Sequence, residues 1–302
     1  MKLVEGVFAA AISPRRSTGH EIDLALLFEV IDFLCAKKVG GIALFGATGE
    51  YIHFGLEERV RVAQLVVKRS RVPLIVNVSH SNLDGAVTLA EEAASAGAAG
   101  VLLMPPHFFS YSQLEVREYF LEFAKTIQAD IPIYLYNVPF FTNEISPEIA
   151  CQLLGTGKFA GIKDSSGRED YFAALMRQKE MTSFVRVIVG NDSLFTRGLS
   201  NGADGVISGV CCGLPELMLA LHQAIVGSDT VRRDQLQARL VEYLGWLDRF
   251  PVPIGVRETV AMRGMRVGPQ AIPFSPAAAR TMGEFREWFQ GWLPELLLET
   301  KS

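Results

Sequence analysis

The chain is poor in the features that mark several broad protein classes. Its four cysteines, Cys35, Cys151, Cys211 and Cys212, have neither the paired spacing of a zinc site nor the density of a disulfide scaffold. A small secreted module is excluded, and thiols kept reduced in the cytoplasm are expected. Positive charge is not in excess: 29 Lys and Arg stand against 33 Asp and Glu, a formal net charge of -4. A nucleic-acid partner or an anionic membrane therefore has no electrostatic footprint. The apolar stretch before Ser13-Pro14 holds only about six residues, too few for a signal segment or a membrane span. No Gly-x-Gly-x-x-Gly opens the first helical stretch, so the dinucleotide fingerprint is missing. Nor do His, Asp and Glu fall at metal-ligand spacing, which leaves a metal-dependent mechanism, or any bound cofactor, without support.

What the sequence does have is apolar material: 49% of 302 residues are hydrophobic, enough for one large core with a small appended subdomain. A small-molecule partner is the default. From Val7 onward, short continuously apolar runs alternate with amphipathic stretches, as expected of strands buried on both faces. The runs are Val7 to Ile12, Gly41 to Phe45, Pro73 to Val78, Gly100 to Met104, Ile133 to Tyr136, Gly161 to Lys163, Arg186 to Val189 and Gly205 to Ile207. Between them lie helical patterns such as Asp23 to Lys38, Leu56 to Arg69, Leu83 to Ala96, Gln113 to Thr126 and Asp170 to Gln178. Eight strand and helix units in about 210 residues predict an α/β fold, a (β/α)8 TIM barrel. After Ile207 the strands stop, and helical patterns continue at Leu214 to Val226, Val231 to Trp246, Gly255 to Arg263 and Pro276 to Leu298. The expected division is a barrel over 1–224 and a C-terminal helical extension over 225–302.

Barrel active sites form where strands end, which directs attention to Lys163. It closes Phe159-Ala160-Gly161-Ile162, an apolar strand that carries an amine to the barrel mouth. An ordinary lysine is almost wholly protonated at neutral pH, so one that attacks a carbonyl needs a desolvated setting. The bland alternative is a lysine that snorkels or pairs with Asp164. Tyr136 ends the fifth strand one step away, where a phenol can shuttle a proton or simply pack. After the second strand, Gly46-Ala47-Thr48-Gly49-Glu50 lets the backbone turn tightly. The amides of Ala47 and Thr48, with the Thr48 hydroxyl, can then face a carboxylate. Glu50 either positions this loop or caps the following helix.

Taken in order, Gly46-Ala47-Thr48-Gly49-Glu50, Tyr136-Asn137-Val138-Pro139 with Thr142, Gly161-Ile162-Lys163-Asp164, Gly190-Asn191-Asp192 and Gly205-Val206-Ile207-Ser208-Gly209 form a recognisable set. The chain resembles the dihydrodipicolinate synthase and N-acetylneuraminate lyase family from about Val4 to its last helices. The resemblance implies that Lys163 forms an imine with pyruvate or another 2-oxo acid and that Tyr136 transfers protons. It further implies that Thr48 and the neighbouring amides bind the carboxylate, that Ile207 lines the pocket with Gly190 nearby, and that the protein is a homotetramer built as a dimer of dimers.

Three departures bear on the reaction. Where the family commonly has Thr or Ser as a link in a hydroxyl relay, this chain has Ala47, whose side chain neither donates nor accepts. The relay tyrosine that the family contributes across a dimer interface corresponds to Phe108. The arginine that holds the carboxylate of aspartate semialdehyde in lysine-pathway enzymes corresponds to Phe141. Phe108, Phe109, Phe140 and Phe141 therefore imply an apolar second-substrate region, unless some of these rings pack an interface. Ser79, His80, His107 and Tyr111 lie in or near the same loops and can replace a lost hydroxyl or bind substrate, unless they are simply solvated loop residues; His53 can face the same region. The leading reading is a Schiff-base lyase or aldolase, or a related dehydratase, that is not a lysine-pathway synthase. The alternatives are a catalytically weak homologue that senses a 2-oxo acid, and a barrel that binds sugar phosphates through Gly190 and Gly209-Val210.

Overall fold

The computed structural model describes residues 4–18, 20–182 and 184–301. Eight parallel strands close into a barrel in sequence order. They are β1 (Gly6–Ala10), β2 (Gly41–Leu44), β3 (Leu74–Asn77), β4 (Gly100–Leu103), β5 (Ile133–Asn137), β6 (Gly161–Asp164), β7 (Arg186–Val189) and β8 (Gly205–Ser208). The strand residues are almost all buried, which is why they read as continuous apolar runs rather than alternating ones.

Helices α1 (Leu24–Ala36), α2 (Leu56–Arg69), α3 (Leu83–Ala96), α4 (Gln113–Thr126), α5 (Pro147–Gly155), α6 (Glu169–Met181) and α7 (Phe195–Ser200) connect successive strands. Several starts are written in the sequence. The Asp23 carboxylate accepts from the amides of Ala25 and Leu26. Ser112 and Glu115 make a reciprocal capping box on α4, and Ser146 caps α5 just ahead of Pro147. Helices α5 and α7 are not delimited by the sequence periodicity, and α7 has six residues, too few to display a 3.6-residue period.

Packing inside the barrel needs small residues at defined points. The even-numbered strands β2, β4, β6 and β8 each begin with glycine. At Gly41, a Cβ would lie 2.1 Å from the Phe8 ring, and at Gly161, 2.2 Å from the carbonyl oxygen of Arg186. Large side chains of odd strands, such as Phe8 and Tyr134, fill the space so released. The register places Lys163 between Tyr136 on β5 and Ile188 on β7.

Beyond β8, helices α8 (Val210–Gly213), α9 (Pro215–Val226), α10 (Thr230–Leu247), α11 (Ile254–Met262) and α12 (Pro276–Glu299) complete the chain. The final helices are joined by an aromatic cluster. Phe285 lies within 6.4 Å, centroid to centroid, of the rings of Tyr243, Trp246, Phe250, Trp288 and Phe289. Truncating this wholly buried ring leaves a cavity that such a crowded cluster cannot close. Phe285→Ala is expected to lower stability by about 3–5 kcal/mol in a denaturant titration. A loss below about 1 kcal/mol would show that the cluster repacks.

Candidate active site

Lys163 is 3% exposed, and its Nζ lies 4.1 Å from the centroid of the Tyr136 ring. The ion pair with Asp164 that a strand-end lysine invites does not form. The Asp164 carboxylate instead accepts from Asn137 Nδ2 at 2.7 Å, from the Ser166 hydroxyl at 2.7 Å and from the Ser166 amide at 3.1 Å. Burial pushes this carboxyl above its ordinary pKa, against the pull of those hydrogen bonds. Asn137 Oδ1 in turn accepts from the Ile145 amide at 3.0 Å. The ends of β5 and β6 are thereby locked together, with Lys163 and Tyr136 between them.

Gly190 makes room for the lysine. A Cβ at that position would lie 2.8 Å from Lys163 Cε and 2.2 Å from Ser165 Oγ. Next to it, Asp192 bonds the Ser208 side chain and the amides of Gly209 and Val210, the last at 3.2 Å, and burial raises its pKa. Those amides are the groups a sugar phosphate needs on this side of a barrel. A carboxylate already occupies them, which removes the footing of the phosphate reading. Asp192 also acts electrostatically on Lys163. Its motif was legible in the sequence, but its own inward placement was not.

The loop after β2 turns back on itself, with the amides of Gly49 and Glu50 donating to the carbonyls of Gly46 and Ala47. Among the described residues, no carbonyl or side-chain oxygen takes the amides of Ala47 and Thr48. The Thr48 hydroxyl lies 3.2 Å from where a Cβ on Gly209 would stand, bringing it against the end of β8. Ile207 is buried on that strand, paired with Phe8. Free amides and a hydroxyl in one turn form a concavity suited to a carboxylate.

Glu50 is a structural anchor. Its backbone is left-handed, with φ of 51°. One carboxylate oxygen meets Arg15 at 3.4 Å and the other meets Arg257 at 3.0 Å. Arg257 is fully buried and also donates to the carbonyls of Ser13, Val267 and Pro269. The Ser13 hydroxyl donates to the carbonyl of Gly49 at 2.8 Å.

Above the loop opens a groove of about 540 Å³ lined by Ala47, Tyr51, His53, His107, Phe140 and Phe141, among others. Phe108 reaches its rim and is 91% exposed, its ring edge-on to Phe109. The other proposed substitutes are dispersed. Ser79 is buried, bonded to Asn77 and to the amide of Met104. His80 bonds Asn82 ahead of α3, and Tyr111 lines a separate depression beside α4. His53 and His107 face the groove, and burial lowers the pKa of both. Sequence reasoning missed Tyr51, which has no periodic or motif signal of its own, and Arg59, which reads as one more charge on an amphipathic helix.

A model of the dihydrodipicolinate synthetase family matches residues 3–290. The chain belongs to that family. Its members are lyases and aldolases of the class I, pyruvate-dependent kind. The chain is 29% identical over 286 residues, 94% of its length and 96% of the relative's, to a protein of Methanothrix thermoacetophila named 4-hydroxy-tetrahydrodipicolinate synthase. An uncharacterized DapA-like lyase of Halobacterium salinarum shares 32% identity, covering 78% of this chain and 77% of the relative. Among solved structures, dihydrodipicolinate synthase from Aquifex aeolicus superposes with a TM-score of 0.88 at 26% identity, over 96% of this chain and 98% of that one. No helix among the described residues is long and apolar enough to cross a membrane.

The anchoring of the family's glycine loop is open to a direct test. Glu50→Leu strands two buried guanidinium groups without their counter-ion, and is expected to cost about 3–5 kcal/mol of stability. Urea unfolding measures it; a change of less than about 1 kcal/mol would mean that the arginines find water or other partners.

Proposed function

We propose that the protein is a Schiff-base-forming lyase or aldolase, or a related dehydratase. In this reading Lys163 condenses with pyruvate or another 2-oxo acid, and the second substrate is an aldehyde with few charges. The observation that carries it is a buried lysine amine with no ion-pair partner among the described residues, held over a phenol at the mouth of an apolar barrel. In its neutral form the amine attacks the C2 carbonyl of the 2-oxo acid to give a carbinolamine. Tyr136 delivers a proton to the departing hydroxyl, and water leaves as the iminium forms. The iminium draws electrons from C3, so a C–C bond there can be made to, or broken from, an aldehyde carbon. Loss of water from a 2-oxo-3-deoxy acid uses the same sink. The Thr48 hydroxyl and the amides of Ala47 and Thr48 hold the carboxylate, Ile207 closes the pocket floor, and Gly190 leaves the lysine chain its path.

The second-substrate region argues against a lysine-pathway synthase. Phe141 stands where an arginine would hold a second carboxylate, and losing a charge-assisted hydrogen bond costs about 1.5–3 kcal/mol. Phe140, Ile52 and Val252 extend the same apolar wall. A regulatory protein that binds a 2-oxo acid without turning it over is the second reading, favoured by the missing hydroxyls at Ala47 and Phe108. Turnover of a panel of aldehydes separates the two, because both would form the imine. A homotetramer built as a dimer of dimers, enclosed in the cytoplasm, completes the proposal, with the exposed Phe108 and Phe109 rings as part of one contact.

Two outcomes are expected. Borohydride with pyruvate or a related 2-oxo acid should leave a stable adduct on Lys163, found by intact-mass and peptide mapping and absent from Lys163→Ala; an adduct on Lys37, Lys38 or Lys158 would overturn the assignment. Condensation of pyruvate with aspartate semialdehyde should be poor, and a kcat/KM within about tenfold of an ordinary lysine-pathway enzyme, only about 1.4 kcal/mol, would refute that restriction.

A further inference from the structure

The lysine reading leaves a proton path incomplete, since neither Ala47 nor Phe108 carries a hydroxyl. We infer that Tyr51, backed by His107, supplies the second hydroxyl of this path, passing protons between Tyr136 and the groove. This rests on the proposed role of Lys163 and adds to it a positioning residue outside the family's usual relay.

Tyr51 follows directly on Glu50, so the double arginine anchor that fixes the loop also fixes this ring. It is buried at the wall of the groove that Ala47 and His107 also line. Its ring lies edge-on to the His107 imidazole, centroids 6.0 Å apart. On another side the Arg59 guanidinium stacks on it at 5.0 Å. Arg59 cannot swing away, because it donates to the carbonyls of Ser79 at 2.8 Å and Asn77 at 2.7 Å. The phenol is therefore held in one orientation.

The Nδ1 of His107, on the imidazole that lies edge-on to Tyr51, is buried and without a hydrogen-bond partner among the described residues. Buried polar atoms are seldom left so, and an unpaired nitrogen next to this phenol marks a place where water or substrate completes a chain. Tyr51 also couples electrostatically to both Tyr136 and Tyr119. Burial raises its pKa to about 12, which keeps it a neutral hydroxyl able to accept one proton as it gives up another. Burial, followed by the nearby His80 and Arg59, lowers the pKa of His107. A neutral imidazole can likewise take and give.

The proton balance is simple. One proton is consumed when a neutral amine and a carbonyl become an iminium and water. Tyr136 gives that proton to the departing hydroxyl and regains it from Tyr51, directly or through one water. Tyr51 regains it from His107, and His107 from solvent in the groove. No group ends the sequence with altered charge.

The test is rapid-quench borohydride trapping with pyruvate on the full-length protein. Tyr51→Phe keeps the ring and its packing on Arg59, so the fold is preserved. It should slow iminium formation by about tenfold or more while pyruvate affinity changes by less than about threefold, a split that loss of packing would not produce. His107→Phe should slow the same step. Adding Ala47→Thr to Tyr51→Phe should recover a substantial part of the lost rate by restoring a hydroxyl next to Tyr136. An iminium rate in Tyr51→Phe within about twofold of the parent overturns the inference and leaves the lysine assignment standing. A parent protein that traps no 2-oxo acid overturns both.

Discussion

Glu50 is held in a left-handed backbone conformation between two buried guanidinium groups, and much of the site depends on that arrangement. An isolated carboxylate taken out of water is costly, and two arginines with one carboxylate remain so unless carbonyl oxygens take their remaining donors. Here most of the terminal donors of Arg257 are taken by the carbonyls of Ser13, Val267 and Pro269, while the Nε atoms of Arg15 and Arg257 stay buried without a partner among the described residues, so the shared carboxylate carries much of the compensation. The carboxylate thus joins the loop after β1, the loop after β2 and the segment following α11. The turn that presents the amides of Ala47 and Thr48 is fixed on both sides, as is Tyr51, the next residue along.

A second constraint is steric and comes from barrel closure. Phe45, the residue just after β2, has a positive φ of 62°, a strained choice for a bulky residue. It is held there by its carbonyl accepting from Asn77 Nδ2 at 2.7 Å and by Gly49, where a Cβ would come within 3.0 Å of the Phe45 backbone. Across the barrel, the Asn137–Asp164–Ser166 network fixes the ends of β5 and β6. Polar residues at the strand ends thus form separate hydrogen-bonded groups, one across β2 to β4 and one across β5 and β6. Lys163 is set apart because it is the buried cation there whose carboxylate neighbour is otherwise engaged.

The parts of this structure that were legible in the sequence are those set by local pattern. Continuous apolar runs marked the strands to within about two residues, because burial on both faces removes any alternation. The bounds of α2, α3 and α4 followed from their apolar period. Lys163 and Tyr136 were legible because a strand end is a defined place in a barrel. What stayed hidden was long-range pairing: Arg257 lies 207 positions from Glu50, and nothing in its own helix announces a buried partner. Arg59 is concealed for a similar reason, its neighbours being ordinary residues of an amphipathic helix. Tyr51 is hidden in the same way, because neither the anchor beside it nor the Arg59 guanidinium against its ring is announced by its sequence neighbours.

Retention and change divide the site along a physical line. In the proposed reading, the groups that would face the 2-oxo acid, namely the lysine, the phenol, the turn amides and the threonine hydroxyl, are enclosed by strand ends whose packing tolerates little substitution. The groups that would face a second substrate stand on loops at the rim, where Phe140 and Phe141 are largely exposed. Exchange of charge for an apolar ring there costs the fold little, because the rim is not part of the core. A chain can therefore keep the means to activate a 2-oxo acid while its preference for the electrophile moves from a carboxylate-bearing aldehyde to a less polar one. The change would also raise the free-energy cost of burying a charged tail in the groove, so selectivity would come from rejection of the charged competitor as much as from attraction of the new one.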